Sequence, residues 1–315
     1  TGFNFKKDLE KKIKLLLINI VQNDFLQIAQ KIEEAHFLFK NKKIDLLILA
    51  EEDSPLSKIM VKIANKFDIP SIVILHGIPS GDLLFGQTQA RYHLVFGEKI
   101  KKWFIINGEK YGKQISNVIA LGCPRYDSFL NIRKKSDKNQ ILYAMEIAPE
   151  IERVADTHLT KKMQKIALKM IINIMKSEFP NYTLILKIRP NWDLKKMLYN
   201  TLKENNFSNF EIIEKANNEK LMGDSKLVIV NHSTMGLESL LIGVPVISLS
   251  FKELDFFNSY KNSKIIKVVY TPEQLKKELK KSINSNFLDK NELNKYVLTD
   301  KKSTKRVTEL IQNIL

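Results

Sequence analysis

The stretch KLVIVNHSTMGLESLLIGVPVISLS, residues 226–250, decides the fold. Its first apolar run, Leu227–Val230, is short and rich in β-branched residues, which predicts a buried strand. Four polar residues follow at positions 231–234, and an apolar segment that ends at Gly243 then predicts a helix. A second apolar run at positions 246–249 predicts the next strand. Strand, polar turn, helix and strand in this order are typical of a parallel sheet covered by helices.

The same alternation extends along most of the chain. Residues 5–43 are rich in lysine and have apolar residues at helical spacing, so they are predicted to be helical. After them, predicted strands alternate with predicted helices, which indicates an α/β fold. The predicted strands are residues 44–50, 71–75, 92–96, 118–121, 141–144, 183–188, 210–213, 227–230 and 246–249.

Eight consecutive polar residues at positions 133–140 interrupt this pattern and favour a linker. Because the alternation restarts after them, we predict two doubly wound, Rossmann-like α/β domains that face each other across a cleft. The first is expected to span residues 1–136 and the second residues 137–315. No strand is recognisable before residue 44.

The formal net charge of +16 raises the hypothesis of a nucleic-acid-binding protein. However, residues 1–140 hold 23 basic and 15 acidic residues, and residues 141–315 hold 28 and 20, so each part has a net charge of +8. Lysine accounts for 45 of the 51 basic residues. An even, lysine-dominated excess favours a compositional bias over a recognition surface, and we expect no nucleic-acid partner.

The composition also bears on the compartment. Cys123 is the only cysteine, which excludes an intramolecular disulfide and favours a reducing environment. The longest apolar runs are too short to span a bilayer. Lysine-rich segments at positions 99–102 and 276–281 are compatible with contact to anionic lipid, although solvated helix faces are the favoured interpretation. We expect a cytoplasmic protein and leave open peripheral contact with the inner face of the membrane.

Doubly wound sheets bind ligands at the carboxyl ends of their strands. The polar residues that directly follow predicted strands are therefore the candidates for a site. They are Glu51, Glu52 and Asp53, then His76 and Gly77, then Arg125 in the turn 122–127, then Arg189, and finally Asn231, His232, Ser233 and Thr234, with Glu238 one turn into the next helix.

The turn at residues 231–234 suits a phosphate, because unpaired N–H groups and the helix dipole both favour an anion at a helix start. Hydroxyl groups at Ser233 and Thr234 could donate to the same phosphate, and Glu238 could accept the hydroxyls of a ribose. A simple capped helix explains these residues equally well.

The other candidates each have two interpretations. Arg189 could clamp a phosphate or a carboxylate bidentately, or could pair with an acid at the surface. His76 suits a general base near neutral pH, or could cap a turn. Asp53 could serve as a base or hold a sugar hydroxyl, or could cap the helix predicted to begin near residue 57.

Several well-known sequence patterns are missing. No cluster of cysteine and histidine has zinc spacing and no H-E-x-x-H occurs, so no metal site is expected. The phosphate-binding pattern G-x-x-x-x-G-K-[ST], the dinucleotide pattern G-x-G-x-x-G and the hydrolase pattern G-x-S-x-G are also missing. These absences weaken kinase, NTPase, dehydrogenase and serine-hydrolase hypotheses.

Four motifs follow one another along the chain: His76-Gly77, Gly122-Cys-Pro-Arg-Tyr-Asp127, Arg189-Pro190 and residues 232–246. This ordered set resembles the GT-B glycosyltransferase superfamily, especially bacterial enzymes that build capsules, teichoic acids and other surface glycans. It is similar to CDP-glycerol glycerophosphotransferases and to Kdo- or sialic-acid-type transferases, and more distantly to non-hydrolysing UDP-N-acetylglucosamine 2-epimerases. Arg189 stands where related families often have a histidine, which is a departure. The resemblance covers roughly residues 44–315. The N-terminal domain of such enzymes usually begins with a strand and a glycine loop, which are missing before residue 44, so the first domain is expected to be incomplete or atypical at its start.

This resemblance implies a nucleotide-sugar donor, CMP- or UDP-linked, held by the second domain, and a glycan or lipid-linked glycan acceptor held by the first. Residues 232–234 and Arg189 would hold the donor phosphate, and His76 or an acid among residues 51–53 would be the base. No metal ion or other cofactor is implied. The expected activity is inverting glycosyl transfer to a capsule, lipopolysaccharide or teichoic-acid-like acceptor. Nucleotide-sugar 2-epimerase and glycerophosphotransferase activities are the alternatives.

Overall fold

The computed structural model describes residues 5–79, 88–110, 115–132, 138–145, 159–189, 192–258, 260–283, 285 and 289–315. Within these ranges, helices and strands alternate as the hydrophobic pattern predicts. The polar linker predicted at residues 133–140 lies partly outside the described residues, so the domain boundary at residue 136 stays a prediction.

The first half of the chain forms a four-stranded parallel sheet in the order β1-β2-β3-β4. The helix Pro55–Lys66 connects the first two strands and the helix Glu98–Lys110 connects the last two, as expected for parallel strands, which need a crossover connection. The elements are α1 Phe5–Asn19, a π-helical segment Ile20–Phe25, α2 Leu26–Asn41, β1 Leu47–Leu49, α3 Pro55–Lys66, β2 Ser71–Ile74, β3 Tyr92–Val95, α4 Glu98–Lys110, β4 Val118–Ala120 and the short α5 Tyr126–Phe129.

The second half forms a six-stranded parallel sheet in the order β10-β9-β8-β5-β6-β7. Its elements are β5 Gln140–Ala144, α6 Lys161–Glu178, β6 Thr183–Lys187, α7 Trp192–Glu204, β7 Phe210–Ile213, α8 Asn218–Gly223, β8 Leu227–Val230, α9 Met235–Ile242, β9 Val246–Leu249, a 3-10 segment Lys252–Phe257, β10 Lys267–Val269, α10 Pro272–Ser282, α11 Lys290–Tyr296 and α12 Ser303–Ile314.

The burial of the central strands of the second sheet accounts for their apolar sequences. Every residue of β8 and β9 is buried, because helices cover both faces of the sheet. Such strands are continuous apolar runs without polar alternation, and this is why Leu227–Val230 and Val246–Leu249 stand out in the sequence. The predicted α/β class with two parallel sheets is confirmed. Strand β10 was not predicted, because its half-exposed residues give only a short apolar signal.

The C-terminal helix α12 packs on the first sheet and not on the second. Val307 joins Ile72 of β2 and Leu94 of β3 in one buried cluster. The two sheets also share a core, in which Phe96 and Tyr126 of the first half pack with Leu240 of the second. The chain therefore crosses between the sheets twice, and the returning helix fastens them together.

The N-terminal helices behave differently from the rest. Of the 19 exposed large apolar side chains among the described residues, 13 lie between Leu9 and Leu38. Only the C-terminal part of α2 is anchored, where Ala35 and Phe39 pack in a cluster with residues of α3. No described helix has the length and apolar character needed to cross a bilayer.

Asp127 connects the turn after β4 to α12. Its carboxylate accepts hydrogen bonds from the backbone N–H groups of Ser303 (3.1 Å) and Thr304 (2.7 Å) and from the hydroxyl of Thr304 (2.7 Å). Burial tends to raise the pKa of Asp127, but these hydrogen bonds outweigh that effect and lower it. The carboxylate thus fills the role of an N-cap from outside the helix.

We predict that Asp127→Ala lowers the free energy of unfolding by about 1–2 kcal/mol, because free N–H groups at the start of α12 lose their acceptor. Because the folded pKa of Asp127 is lowered, its contribution is present at neutral pH and fades as the pH falls through that pKa. Urea denaturation at pH 7 measures the loss. Thr304→Ala, which removes one of the three bonds, is the control and should cost less; an equal cost would contradict the capping role.

Candidate functional site

The carboxyl ends of the two sheets face each other at one point. The loop after β2 contains His76 and Gly77, and the turn after β8 contains Thr234. The backbone N–H of Ile78 lies 3.4 Å from the Thr234 hydroxyl oxygen, to which it donates. A Cβ atom added to Gly77 would lie 3.4 Å from the same oxygen. Two loops that are 156 residues apart in the chain therefore form one wall of a cleft.

The turn at residues 231–234 divides into a buried and an accessible part. Asn231 is fully buried; its side-chain oxygen accepts from the Tyr143 hydroxyl (3.1 Å) and its nitrogen donates to the Leu249 carbonyl (2.7 Å). These bonds hold the end of β8 between its neighbours β5 and β9. His232 is 9% exposed. Of the four residues, only Ser233 and Thr234 present more than a small fraction of their surface.

Ser233 provides the local capping contact at α9. Its hydroxyl oxygen accepts from the N–H of Met235 at 3.3 Å, while its own hydroxyl proton can donate elsewhere. Thr234 does not cap the helix with its side chain. Its hydroxyl turns instead to the first half of the chain, at Ile78. The helix start thus combines a dipole with two partly exposed hydroxyl groups, which suits an anion chemically.

Gly236 is required by a neighbouring tyrosine and not by a ligand. A Cβ atom at this position would lie 2.6 Å from the hydroxyl oxygen of Tyr260. That hydroxyl donates to the carbonyl of Ser233 at 2.6 Å, and the tyrosine is fully buried. Tyr260 therefore holds the turn at residues 231–234 through the Ser233 carbonyl. The sequence analysis did not identify Tyr260 as a residue of the site, because it does not directly follow a predicted strand.

Two of the three acids after β1, Glu51 and Glu52, accept hydrogen bonds from other groups of the protein. Glu51 accepts hydrogen bonds from the backbone N–H of Ser54 (2.9 Å) and from the hydroxyls of Ser54 and Ser57. Burial tends to raise the pKa of Glu51, but these bonds prevail and lower it to about 2. Ser54, not an acid, is the N-cap residue of α3.

Glu52 points into the protein. Its carboxylate accepts from the Thr88 hydroxyl (2.9 Å) and from the backbone N–H groups of Gln89 (2.7 Å) and Ala90 (3.2 Å). Burial raises the pKa of Glu52, and these hydrogen bonds oppose the rise. Glu52 therefore holds the segment before β3 in place, and with 5% of its surface exposed it is not positioned to contact a ligand as the sequence analysis expected.

Asp53 is the third of these acids, and its pKa is also raised. Burial, followed by the negative charge of Glu51, raises the pKa of Asp53 to about 6. Lys58 and His76 oppose the rise, so Asp53 and His76 are electrostatic neighbours. A carboxyl group with this pKa exchanges its proton near physiological pH, as a general acid or base must.

His76 has its tautomer defined by a backbone contact. Its Nδ1 lies 2.9 Å from the carbonyl oxygen of Ala50 at the end of β1. Because a carbonyl oxygen only accepts, Nδ1 must hold a proton, and in the neutral ring Nε2 then has the free lone pair. The side chain is exposed, so Nε2 can approach a ligand hydroxyl.

Glu238 lies one turn into α9 and forms an ion pair across the cleft. The guanidinium of Arg125 donates to its Oε1 at 2.7 Å, and the Tyr126 hydroxyl lies 3.4 Å from the same oxygen. Burial raises the pKa of Glu238, and the charge of Arg125 opposes that rise. Arg125, a cleft residue in the sequence analysis, is therefore the partner of a predicted donor-binding residue.

A cavity of about 310 Å³ opens beside this ion pair. Its lining is mainly polar, with charged and amide side chains and one aromatic residue. The lining residues are Arg125, Phe129, Asn217, Asn218, Glu219 and Glu238. Sequence reasoning missed Phe129 and the start of α8, since neither follows a strand directly.

Arg189 lies two strands away from the turn at residues 231–234. It follows β6, which is separated from β8 by β5, so the ends of β6 and β8 are roughly 10 Å apart along the sheet edge at ~4.8 Å per strand. Its side chain is exposed. Pro190 lies outside the described residues. No group of three or more metal-ligating side chains occurs within the described parts of the chain.

Comparisons with known proteins support the fold. No family model and no curated protein matches the chain. Solved structures do match. The UDP-GlcNAc 2-epimerase of Methanocaldococcus jannaschii, in complex with UDP-GlcNAc and UDP, superposes with a TM-score of 0.62 at 15% identity, covering 91% of this chain and 81% of that one.

Two further structures extend the comparison. The UDP-GlcNAc 2-epimerase of Neisseria meningitidis bound to UDP-GlcNAc has a TM-score of 0.58 at 15% identity, with 91% and 81% coverage. A variant of the wall teichoic acid polymerase TagF has a TM-score of 0.54 at 16% identity, with 86% and 73% coverage. The chain thus has the GT-B type of fold that its motif order predicted.

We predict that Asp53→Asn changes how stability depends on pH. Because the folded pKa of Asp53 is raised above its unfolded value, the native state binds more protons, and this residue makes stability fall as the pH rises from about 4 to 6. The amide cannot ionise, so the variant should lose this part of the decline. Unfolding free energies at pH 4.5 and pH 7 measure the difference, and Asp68→Asn is the control. An unchanged pH slope would contradict the assignment.

Proposed function

We propose that this protein transfers a glycosyl group from a nucleotide-activated donor to a hydroxyl of a bacterial surface-glycan acceptor. The observation that supports this proposal most strongly is His76, whose tautomer leaves Nε2 as the basic nitrogen of an exposed ring. The following residues of its loop contact Thr234 at the start of α9. A proposed base and a proposed anion-binding helix start thus lie beside each other on one wall of a cleft.

In the proposed reaction, the acceptor hydroxyl gives its proton to Nε2 of His76 while its oxygen bonds to the donor sugar carbon. The bond from that carbon to the nucleotide phosphate oxygen breaks, and the nucleotide leaves with the electron pair. The dipole of α9 and the hydroxyls of Ser233 and Thr234 stabilise the negative charge that develops on the phosphate. Single displacement of this kind inverts the configuration at the sugar carbon.

The remaining candidates take supporting roles. Arg189 is exposed at the same sheet edge and would contact an outer phosphate or sugar group of the donor. Glu238 would accept the ribose hydroxyls in the adjoining pocket, which the amide side chains of Asn217 and Asn218 also line. Asp53, beside His76, would assist the proton transfer. His232 would act through the packing of the turn, since little of it is exposed.

Epimerisation of a nucleotide sugar is the second candidate. The fold similarity to UDP-GlcNAc 2-epimerases and the acid and histidine that lie together after β1 and β2 favour it. A third, transfer of glycerol phosphate, is favoured by the similarity to TagF. Incubation with a nucleotide sugar alone separates the first two, because only an epimerase forms an isomerised product without an acceptor.

We predict that one or more of CMP, UDP, GDP, CDP and TDP raises the melting temperature, because a ligand that binds only the folded state stabilises it by mass action. CMP or UDP is expected to give the largest shift. Thr234→Val, which keeps the volume but loses the hydroxyl, should reduce the shift, whereas Thr308→Val on the exposed face of α12 should not. No shift with any nucleotide would reject a nucleotide-activated donor.

We predict that His76→Ala lowers the rate of transfer by on the order of 10²–10⁴-fold, because the acceptor proton loses its base. The nucleotide-induced rise in melting temperature should persist in this variant, since the base does not bind the phosphate. His36→Ala, in an exposed histidine of α2, is the matched control. Unchanged transfer rates in both His76→Ala and Asp53→Ala would show that these roles are assigned wrongly.

A further inference from the structure

The ion pair between Arg125 and Glu238 joins the two halves of the chain inside the candidate site. Arg125 belongs to the turn after β4, and Glu238 belongs to α9, 113 residues later. The side chain of Glu238 is 9% exposed, whereas that of Arg125 is 53% exposed. An acid so deeply placed normally requires a charged or hydrogen-bonding partner, and here the partner comes from the opposite sheet.

The hydrogen bonds to the Glu238 carboxylate involve only one of its two oxygens among the described contacts. Arg125 and the Tyr126 hydroxyl both approach the same oxygen, Oε1, and they also contact each other at 3.1 Å. A carboxylate held through one oxygen cannot rotate freely, so the direction of its second oxygen is fixed. Glu238 also lines the cavity of about 310 Å³ beside the pair.

We propose that Arg125 is a positioning residue that determines the selectivity of this pocket for ribonucleotides over deoxyribonucleotides. It does so by keeping Glu238 ionised and oriented, so that the carboxylate accepts hydrogen bonds from the vicinal hydroxyls of a bound ribose. This inference rests on the proposed function, because it assumes that a nucleotide occupies the pocket. It adds that recognition of the ribose depends on a residue from the other half of the chain.

The affinity for a ribose depends on the ionisation and the orientation of the Glu238 carboxylate. Two ribose hydroxyls bind best to an ionised acceptor with a fixed direction, and charge-assisted hydrogen bonds are roughly twice as strong as neutral ones. Without Arg125, burial favours the neutral acid, which has lost acceptor strength and is free to rotate. A nucleotide that lacks the hydroxyls makes no use of the carboxylate, so its affinity should not depend on Arg125.

The test uses isothermal titration of the full chain with one ribonucleotide, UMP or CMP, and with its 2′,3′-dideoxy counterpart. The wild-type protein should bind the ribonucleotide about 10-fold or more tightly, in line with a site that hydrogen-bonds substrate hydroxyls. Arg125→Gln should weaken ribonucleotide binding by about 10-fold and leave dideoxynucleotide binding within about twofold. Glu238→Gln should give the same pattern, and Arg125→Lys should restore part of the preference.

Two matched variants separate positioning from general damage. Tyr126→Phe removes the weaker contact to Oε1 and should reduce the preference less than Arg125→Gln. Lys138→Gln breaks an exposed ion pair with Asp224 elsewhere in the second half and should change neither affinity. Melting temperatures of all variants, measured without ligand, show whether each one folds.

Three results would overturn the inference. Equal weakening of both ligands by Arg125→Gln would mean that Arg125 contacts the phosphate or the base. Tighter binding of the ribonucleotide would mean that Arg125 competes with the ribose for Glu238. In both cases the proposed function stands, because nucleotides still bind. If neither ligand binds the wild-type protein, the proposed function fails and this inference fails with it.

Discussion

Parallel strands place all their carboxyl ends on one edge of a sheet. In this protein the turn at residues 122–127, which follows the last strand of the first sheet, contacts two distant helices. Arg125 forms an ion pair with Glu238 on α9, and Asp127 accepts hydrogen bonds from the start of α12. Gly122 within it has a left-handed backbone with φ of +87°, and a Cβ atom there would lie 2.2 Å from the Ser303 hydroxyl oxygen. The position therefore accepts only glycine, and the returning helix depends on it.

These contacts explain why the candidate site is shared between both halves of the chain. His76, the proposed base, is oriented by the end of β1, while the turn proposed to bind an anion is oriented by Asn231 between β5 and β9. Neither half holds both groups. The contact between Ile78 and Thr234 brings them onto one wall, so small movements of one sheet relative to the other change the distance between His76 and this turn.

The strand ends that the sequence singled out serve two purposes, and local sequence does not separate them. Glu51, Glu52 and Asp53 are adjacent acids of similar type, yet the first holds the start of α3, the second holds the segment before β3, and the third interacts electrostatically with His76 and has a pKa raised to about 6. Residues 231–234 likewise combine a fully buried anchor with half-exposed hydroxyls. The partners that decide each role lie tens of residues away in the chain.

The sequence by itself determined the alternation of buried strands and helices, the two parallel sheets and the strand ends at which polar groups collect. It could do so because runs such as Leu227–Val230 must be covered on both faces, which is a local property of their composition. Only the tertiary structure decided that Arg125 pairs with Glu238, that Tyr260 requires Gly236 and that α12 returns to the first sheet. These are contacts between distant segments, and their geometry depends on how two sheets pack, which no local pattern specifies.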